Sequence, residues 1–315
     1  MGDPIDSVIR VQQSHRTEVP HRVATLGGIA AAGWVLMAPA LFFLTLFVFV
    51  PIIYVVYLSF YKSNLLSPHP TFVWLQNYVD LFHSENFLQA FHNSVFLGVG
   101  MLLLSLPLGL VFASLLNMKL QGSQVYRTLL FSPYVMPLVG SGLVFTLLFN
   151  TDDGLVNHML TALSLPAVNW LGSSHTALFS ILVLSVWQYT GYYMLIFLAG
   201  LQNVPQPLVE ASQVDGAGRG QTFLHVTLPA LSPSLFFAMV VCLIQSFQVF
   251  DQVYVMTGGG PDGASTTLTY YIFEKGFQMF QMGPAAAASV FLLVVLAVLS
   301  LLQVYISRRW VVDES

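Results

Sequence analysis

The chain has 315 residues, 56% of them hydrophobic and only 8% charged, with a formal net charge of −4. Soluble domains carry about 25% charged residues; so few charges at a mean hydropathy of +0.74 exclude a soluble globular protein, and the small net charge gives no sign of a nucleic-acid partner. One cysteine, Cys242, excludes an internal disulfide.

Residues 1–30 form a polar tail bearing His and Arg. No short apolar core beside a small-residue cleavage site follows, so the first apolar run is read as a retained anchor. A membrane-spanning helix needs about 20 mostly apolar residues. Six stretches qualify, at about 33–59, 92–116, 126–149, 176–201, 231–255 and 284–307. Backbone groups in lipid must be satisfied within the segment, which selects helices over open strands. Pro51, Pro107 and Pro137 are tolerated where neighbouring helices satisfy the freed carbonyls. The reading is an all-α integral membrane protein with a tail at 1–30 and a transmembrane domain at 31–315.

Lysine and arginine fix the orientation. With the N-terminus inside, Arg10, Arg16, Arg22, Lys119, Arg127, Arg219, Arg308 and Arg309 are cytoplasmic, and only Lys62 and Lys275 fall outside. Both termini and the polar island at about 203–229 then face the cytoplasm. The outer connections, about 60–91, 150–175 and 256–283, hold turn sequences such as Asp152-Asp153-Gly154 and Gly258-Gly259-Gly260-Pro261.

The polar island reads EASQVDGAGRGQTFLHVTLP from Glu210 to Pro229. Pro205 and Pro207 end the fourth span. Leu208 to Val214 can form a short helix, with Glu210 near its positive N-terminal end, and Gly216, Gly218 and Gly220 interrupt it. A second short helix from about Gln221 runs into Leu228-Pro229. The string GAGRGQT at 216–222 lacks the lysine and spacing of a phosphate loop, so no ATP site is expected here. No metal-ligand spacing occurs among the eight histidines.

Glu210, Ala211, Gly216, Leu228 and Pro229, with Ser212 in place of a second alanine and Val226 in place of isoleucine, carry the spacing of a known motif. The island resembles the EAA loop of the membrane subunits of bacterial binding-protein-dependent ABC importers. The resemblance implies the type I importer permease fold and a coupling role for Glu210, Ala211, Ser212, Asp215, Gly216, Ala217, Leu228 and Pro229. The segments LAGLQNVPQPLVEASQVDGA and FDQVYVMTGGGPDGASTTLTYYIF are similar to the carbohydrate class of that family. This implies a bacterial inner-membrane location, a second permease subunit forming a heterodimer, an ABC ATPase dimer that binds ATP and Mg, and an extracytoplasmic substrate-binding protein. The implied cargo is a di- or oligosaccharide. This chain would bind no cofactor and catalyse no reaction.

Polar residues within the spans are the candidates for a pathway, since charged ones are costly there. Ser185, Gln188, Tyr189 and Tyr192 lie at i, i+3, i+4 and i+7 on the fourth span, hence on one face. Cys242, Gln245, Ser246 and Val249 share a face of the fifth. In the maltose-type branch the corresponding faces line the sugar site, which implies substrate contacts at Gln188, Tyr189, Tyr192, Gln245 and Ser246. The same residue types also tie helices together or anchor them at the interface. Asp251, placed near the outer end of the fifth span, is open to substrate, gating or structural roles. Two other cargo or energy schemes stay open: import of glycerol-3-phosphate or a related polyol phosphate, and an ion-coupled secondary transporter. A membrane-embedded enzyme would need a catalytic His/Glu or Ser/Lys set in the spans, and none stands out.

Overall fold

A computed structural model describes residues 26–64, 69–118 and 121–308, with the side chains of 26–32 undescribed. Most of the expected tail at 1–30, together with Lys119 and Arg309, lies outside the described residues. The chain divides into two compact units, Met1–Ile53 and Tyr54–Ser315. The first holds α1 (Leu26–Leu44), a π-helical turn (Thr45–Phe49) and the start of α2 (Val50–Leu58). Together these give a span over Gly33–Leu58. The π turn has a local cause. Pro51 cannot donate to a carbonyl four residues back, and its ring would strike it. One extra residue in the preceding turn opens the ladder there, and the Val50 N–H bonds Thr45 O instead.

The second unit begins with a two-residue antiparallel ladder, β1 (Tyr61–Lys62) with β2 (Thr71–Phe72), pairing Tyr61 with Phe72. It continues through α3 (Gln76–His83), α4 (Glu85–Asn117), α5 (Ser123–Val135), α6 (Leu138–Leu148) and α7 (Leu155–Ala162). Then come α8 (Ala177–Asn203), α9 (Gln206–Val214), α10 (Arg219–Thr222), α11 (Ser232–Phe247), α12 (Asp251–Met256), α13 (Leu268–Phe273) and α14 (Met282–Ser307). Ser84 caps α4 by accepting from the Phe87 N–H.

Among the described residues, five helices are long and apolar enough to cross a membrane, or six if one bent pair counts as a span. That pair corrects the expected third span. Residues 126–149 are not one helix: α5 and α6 meet at 95°. Met136 precedes Pro137, which disfavours helical backbone, and it is extended at ψ 141°. The fifth span is also interrupted. It breaks at Gln248–Phe250, between α11 and α12, so the expected helix at 231–255 is two helices within Ser232–Met256.

α8 is the central helix, packed on α4, α5 and α11. Its core partners include Leu97, Met101, Leu106, Leu231 and Cys242, around Ile181, Leu184, Tyr193, Met194 and Phe197. In lipid, such contacts depend on close fit rather than water exclusion. Gly191 shows the limit: a Cβ there would collide with the Leu130 backbone carbonyl. A second cluster of Leu81, Phe87, Ala90, Phe247, Leu268, Tyr271 and Ala288 joins α3, α4 and α13 to α14. The Phe87 ring lies 5.2 Å from Phe291 and 5.7 Å from Tyr271.

A candidate coupling loop and translocation face

Helix α9 begins one turn after α8 ends. Pro207 sits in its first turn, where the missing N–H would be unpaired in any case. Its end is a cap in which Gly216 takes φ +83°. The Gly216 N–H donates to Gln213 O at 3.1 Å and the Ala217 N–H to Ser212 O at 3.0 Å. These are the two bonds of a Schellman motif. Space is open around Gly216, so the glycine is required by backbone conformation alone. Because α9 starts at Gln206 rather than Leu208, Glu210 lies in the second turn and not at the positive end. Its Oε1 accepts from Gln206 Nε2 at 3.3 Å. No α9 residue is buried; Leu208 is 52% exposed and Val214 87%.

After the cap, the Gly218 N–H donates to the Gln221 side chain at 3.0 Å, opening α10. A π turn (Phe223–Thr227) follows, then a three-residue helical piece, Leu228–Ala230. Here again a π turn stands just ahead of a proline, Pro229. The two halves of the loop are joined by side chains: Ser212 Oγ lies 3.0 Å from Thr222 Oγ1. Between them is a groove of about 350 Å³ lined by Asp215, Gly216, Ala217, Gln221, Thr222 and His225.

The six expected pathway residues divide by burial. Gln188 is buried, and its Nε2 donates to Pro133 O at 2.7 Å and to Met136 O at 3.0 Å. It thus caps the carbonyls freed where α5 breaks from α6. Ser246 is fully buried; it donates to Leu243 O at 2.8 Å and abuts Gly98 of α4. Tyr189, Tyr192, Gln245 and Asp251 stay half-buried. Tyr192 stacks on Tyr134 at 4.5 Å, and Tyr189 meets Tyr134 edge-on at 6.0 Å. Gln245 Oε1 accepts from the buried Tyr193 hydroxyl at 2.7 Å. Asp251 opens α12, just past the break in the fifth span. The half-buried set forms an aromatic surface with one amide and one acid beside it, chemistry that suits stacking on a sugar ring.

The Thr257–Thr267 segment is a knot tied by its own hydroxyls. Ser265 Oγ donates to Gly260 O at 2.6 Å, and the Tyr270 hydroxyl donates to Gly258 O at 2.9 Å. Asn93 of α4 donates to Gly263 O and Thr266 O, and Thr267 Oγ1 donates to Val249 O. Beside it lies a polar concavity of about 440 Å³ lined by Asn86, Gln89, Asp262 and Glu274. Among the described residues no group of three His, Cys, Asp or Glu is placed to hold a metal.

The family described as binding-protein-dependent transport system inner membrane component is matched over residues 105–312. The chain belongs to that family of permeases. It is 34% identical over 277 residues to the trehalose/maltose transport system permease protein MalF of Thermococcus litoralis, covering 88% of this chain and 93% of that one. It is 35% identical over 249 residues to the sn-glycerol-3-phosphate transport system permease protein UgpA of Yersinia enterocolitica, covering 77% and 83%. The crystal structure of a bacterial alginate ABC transporter in complex with an alginate pentasaccharide-bound periplasmic protein contains a chain that superposes with a TM-score of 0.78. The identity is 25%, over 90% of this chain and 97% of that one.

The permease is therefore a multi-span transport subunit of the inner membrane. Several residues of its candidate site escaped the sequence reading. Tyr134 sits inside an apolar run and joins Tyr189 and Tyr192 only because the third span bends. Tyr193 is one position off the predicted face. Thr222, in the polar island, was legible as a hydroxyl ten residues after Ser212, but only the fold of the loop brings the two together.

Proposed function

We propose that this permease forms half of a sugar import path and is driven by a separate ATPase that docks on α9. The observation that carries the reading is α9 itself: a short helix fixed at its end by a glycine cap, with Leu208, Ala211 and Val214 exposed among the described residues. In this reading both termini and α9 face the cytoplasm. The ATPase dimer holds ATP and Mg, a second permease completes the cavity, and an extracytoplasmic binding protein delivers the sugar. Closure of the ATPase dimer moves α9 and rocks the spans between inward- and outward-open states. Only a difference in α9 contacts between the states can drive that change. Tyr189, Tyr192 and Gln245, with Tyr134, offer the sugar its stacking and amide contacts, and Asp251 stands at the broken span beside them. Gln188 and Ser246 act from behind, holding the helices that present that face. The likeness to the MalF protein and to the alginate transporter supports a saccharide cargo.

The test is ATP hydrolysis by the reconstituted complex. Loaded binding protein should stimulate the wild type, and Gly216→Pro should abolish the stimulation while leaving the spans assembled. Equal behaviour of the two would remove α9 from the mechanism. A second reading, glycerol phosphate as cargo, is favoured by the likeness to the UgpA protein. It requires a cation in the cavity; five of the spans carry no lysine or arginine and the bent pair α5–α6 carries only Arg127, so in this reading the second permease supplies it. Stimulation by a glycerol-phosphate-loaded binding protein and not by a sugar-loaded one would select this reading.

A further inference from the structure

Helix α9 connects to α11 through a backbone that contains Gly216, Gly218 and Gly220 within five residues. Space around Gly216 and Gly220 is open, and Gly218 has only the tip of Gln221 near it. Beyond the cap bonds at Gly216 and Ala217 and the bonds of Gly218, no side chain among the described residues braces these glycines, and glycine is the least restrained of residues. A displacement of α9 would be absorbed along such a path. A second connection exists, through the side chains of Ser212 and Thr222. Ser212 Oγ donates to Val209 O at 2.8 Å, which uses its one proton. Thr222 is therefore the donor across the 3.0 Å contact and Ser212 the acceptor. Thr222 is buried and Ser212 half-buried, and Thr222 directly precedes the π turn that leads to Leu228-Pro229 and α11.

We propose that the Ser212–Thr222 hydroxyl bridge is the stiff link that carries motion of α9 into the fifth span, short-circuiting the glycine linker. Ser212 and Thr222 are positioning residues for coupling. An alanine at position 212 could not accept this bond, so the link belongs to the particular pair this chain carries. The inference rests on the coupling reading for its purpose, but the link itself is testable alone.

The experiment places spin labels at Gln213→Cys on α9, away from the Leu208/Ala211/Val214 face, and Leu224→Cys in the π turn, both exposed. Cys242 is fully buried and stays unlabelled. Distance distributions are measured on the full permease in nanodiscs, first alone, then with its partner permease, ATPase and MgATP. One narrow distance is expected in the wild type. Thr222→Val and Ser212→Ala should each lower the population at that distance about 2- to 10-fold, the range of one neutral hydrogen bond. The double variant should be no worse than either, and Thr222→Ser, which keeps the hydroxyl, should restore it. In the full complex the MgATP-induced shift should be lost in the same variants while the ATPase stays bound. An unchanged narrow distance in Thr222→Val and Ser212→Ala overturns the proposal. So does a MgATP shift that survives both. If the ATPase fails to bind even the wild type, the coupling reading falls, and the ATPase-free distances still decide whether the bridge is the stiff link.

Discussion

Replacing Gln188 with methionine tests whether this residue is part of the scaffold or of the sugar site. The side chain keeps its length and loses both amide donors. Pro133 O would retain the Met136 N–H at 3.2 Å, but Met136 O would lose its 3.0 Å bond inside a buried site. An unpaired buried acceptor costs about 1–3 kcal/mol, while hydrogen bonds between membrane helices average about 0.6 kcal/mol. Gln188 Oε1 is itself unpartnered among the described residues, and its removal returns part of the loss. The net expectation is a destabilisation of about 1–2 kcal/mol, read by equilibrium unfolding in mixed micelles. Sugar-stimulated ATP hydrolysis should keep its substrate preference. Unchanged stability together with an altered preference would refute the assignment and return Gln188 to the substrate surface.

Gly216→Ala should cost about 1 kcal/mol at the left-handed cap and weaken ATPase binding to the permease by up to about 5-fold, measured by co-purification at graded ATPase concentrations. Asn93→Ala removes two bonds to the Thr257–Thr267 knot and should speed hydrogen exchange at Gly263–Thr267 without changing exchange in α8. Tyr270 gives a pH dependence. Burial, then the nearby Glu274 charge, raise its phenol above the ordinary value, against a smaller lowering by Gln278. A raised pKa means that stability is present below the ordinary value of about 10 and lost as pH rises through the folded one. Exchange at Gly258, corrected for intrinsic rate, should therefore stay slow through neutral pH and accelerate only above about pH 10; Tyr270→Phe should remove that step.

The spans and the loop were legible because both depend on local rules. Long apolar runs need no tertiary context to be read as spans, and the cap at Gly216 follows from a glycine placed just after a short helix. The breaks were harder. Pro137 was visible and its tolerance was correctly ascribed to a neighbouring helix, but a proline inside an apolar run is compatible with a kink of any size. At the 95° bend the carbonyls are satisfied by Gln188, which lies 52 to 55 residues further along the chain. The break before Asp251 carries no proline or glycine, and nothing in Gln248-Val249-Phe250 announces it. The helical phase put Gln188 and Tyr189 on one face, yet the bend turns one inward and leaves the other half-buried. Periodicity fixes which residues are neighbours on a helix, not what lies opposite them.

The amide that caps the bend and the start of the loop that carries α9 sit on the same rod. From Gln188 to Asn203, α8 is unbroken, about 22 Å at 1.5 Å per residue. Distance and azimuth along that rod are locked together. Inserting a single residue between the two points would lengthen it by about 1.5 Å and also turn one end by about 100° relative to the other, aiming either the amide away from Met136 or α9 away from its present direction. An insertion of seven residues, close to two turns, would restore the angle and leave only a change of reach. Tolerance to length change in this stretch should therefore be periodic rather than graded, so that α8 behaves as a phase-keyed shaft and not as a spacer.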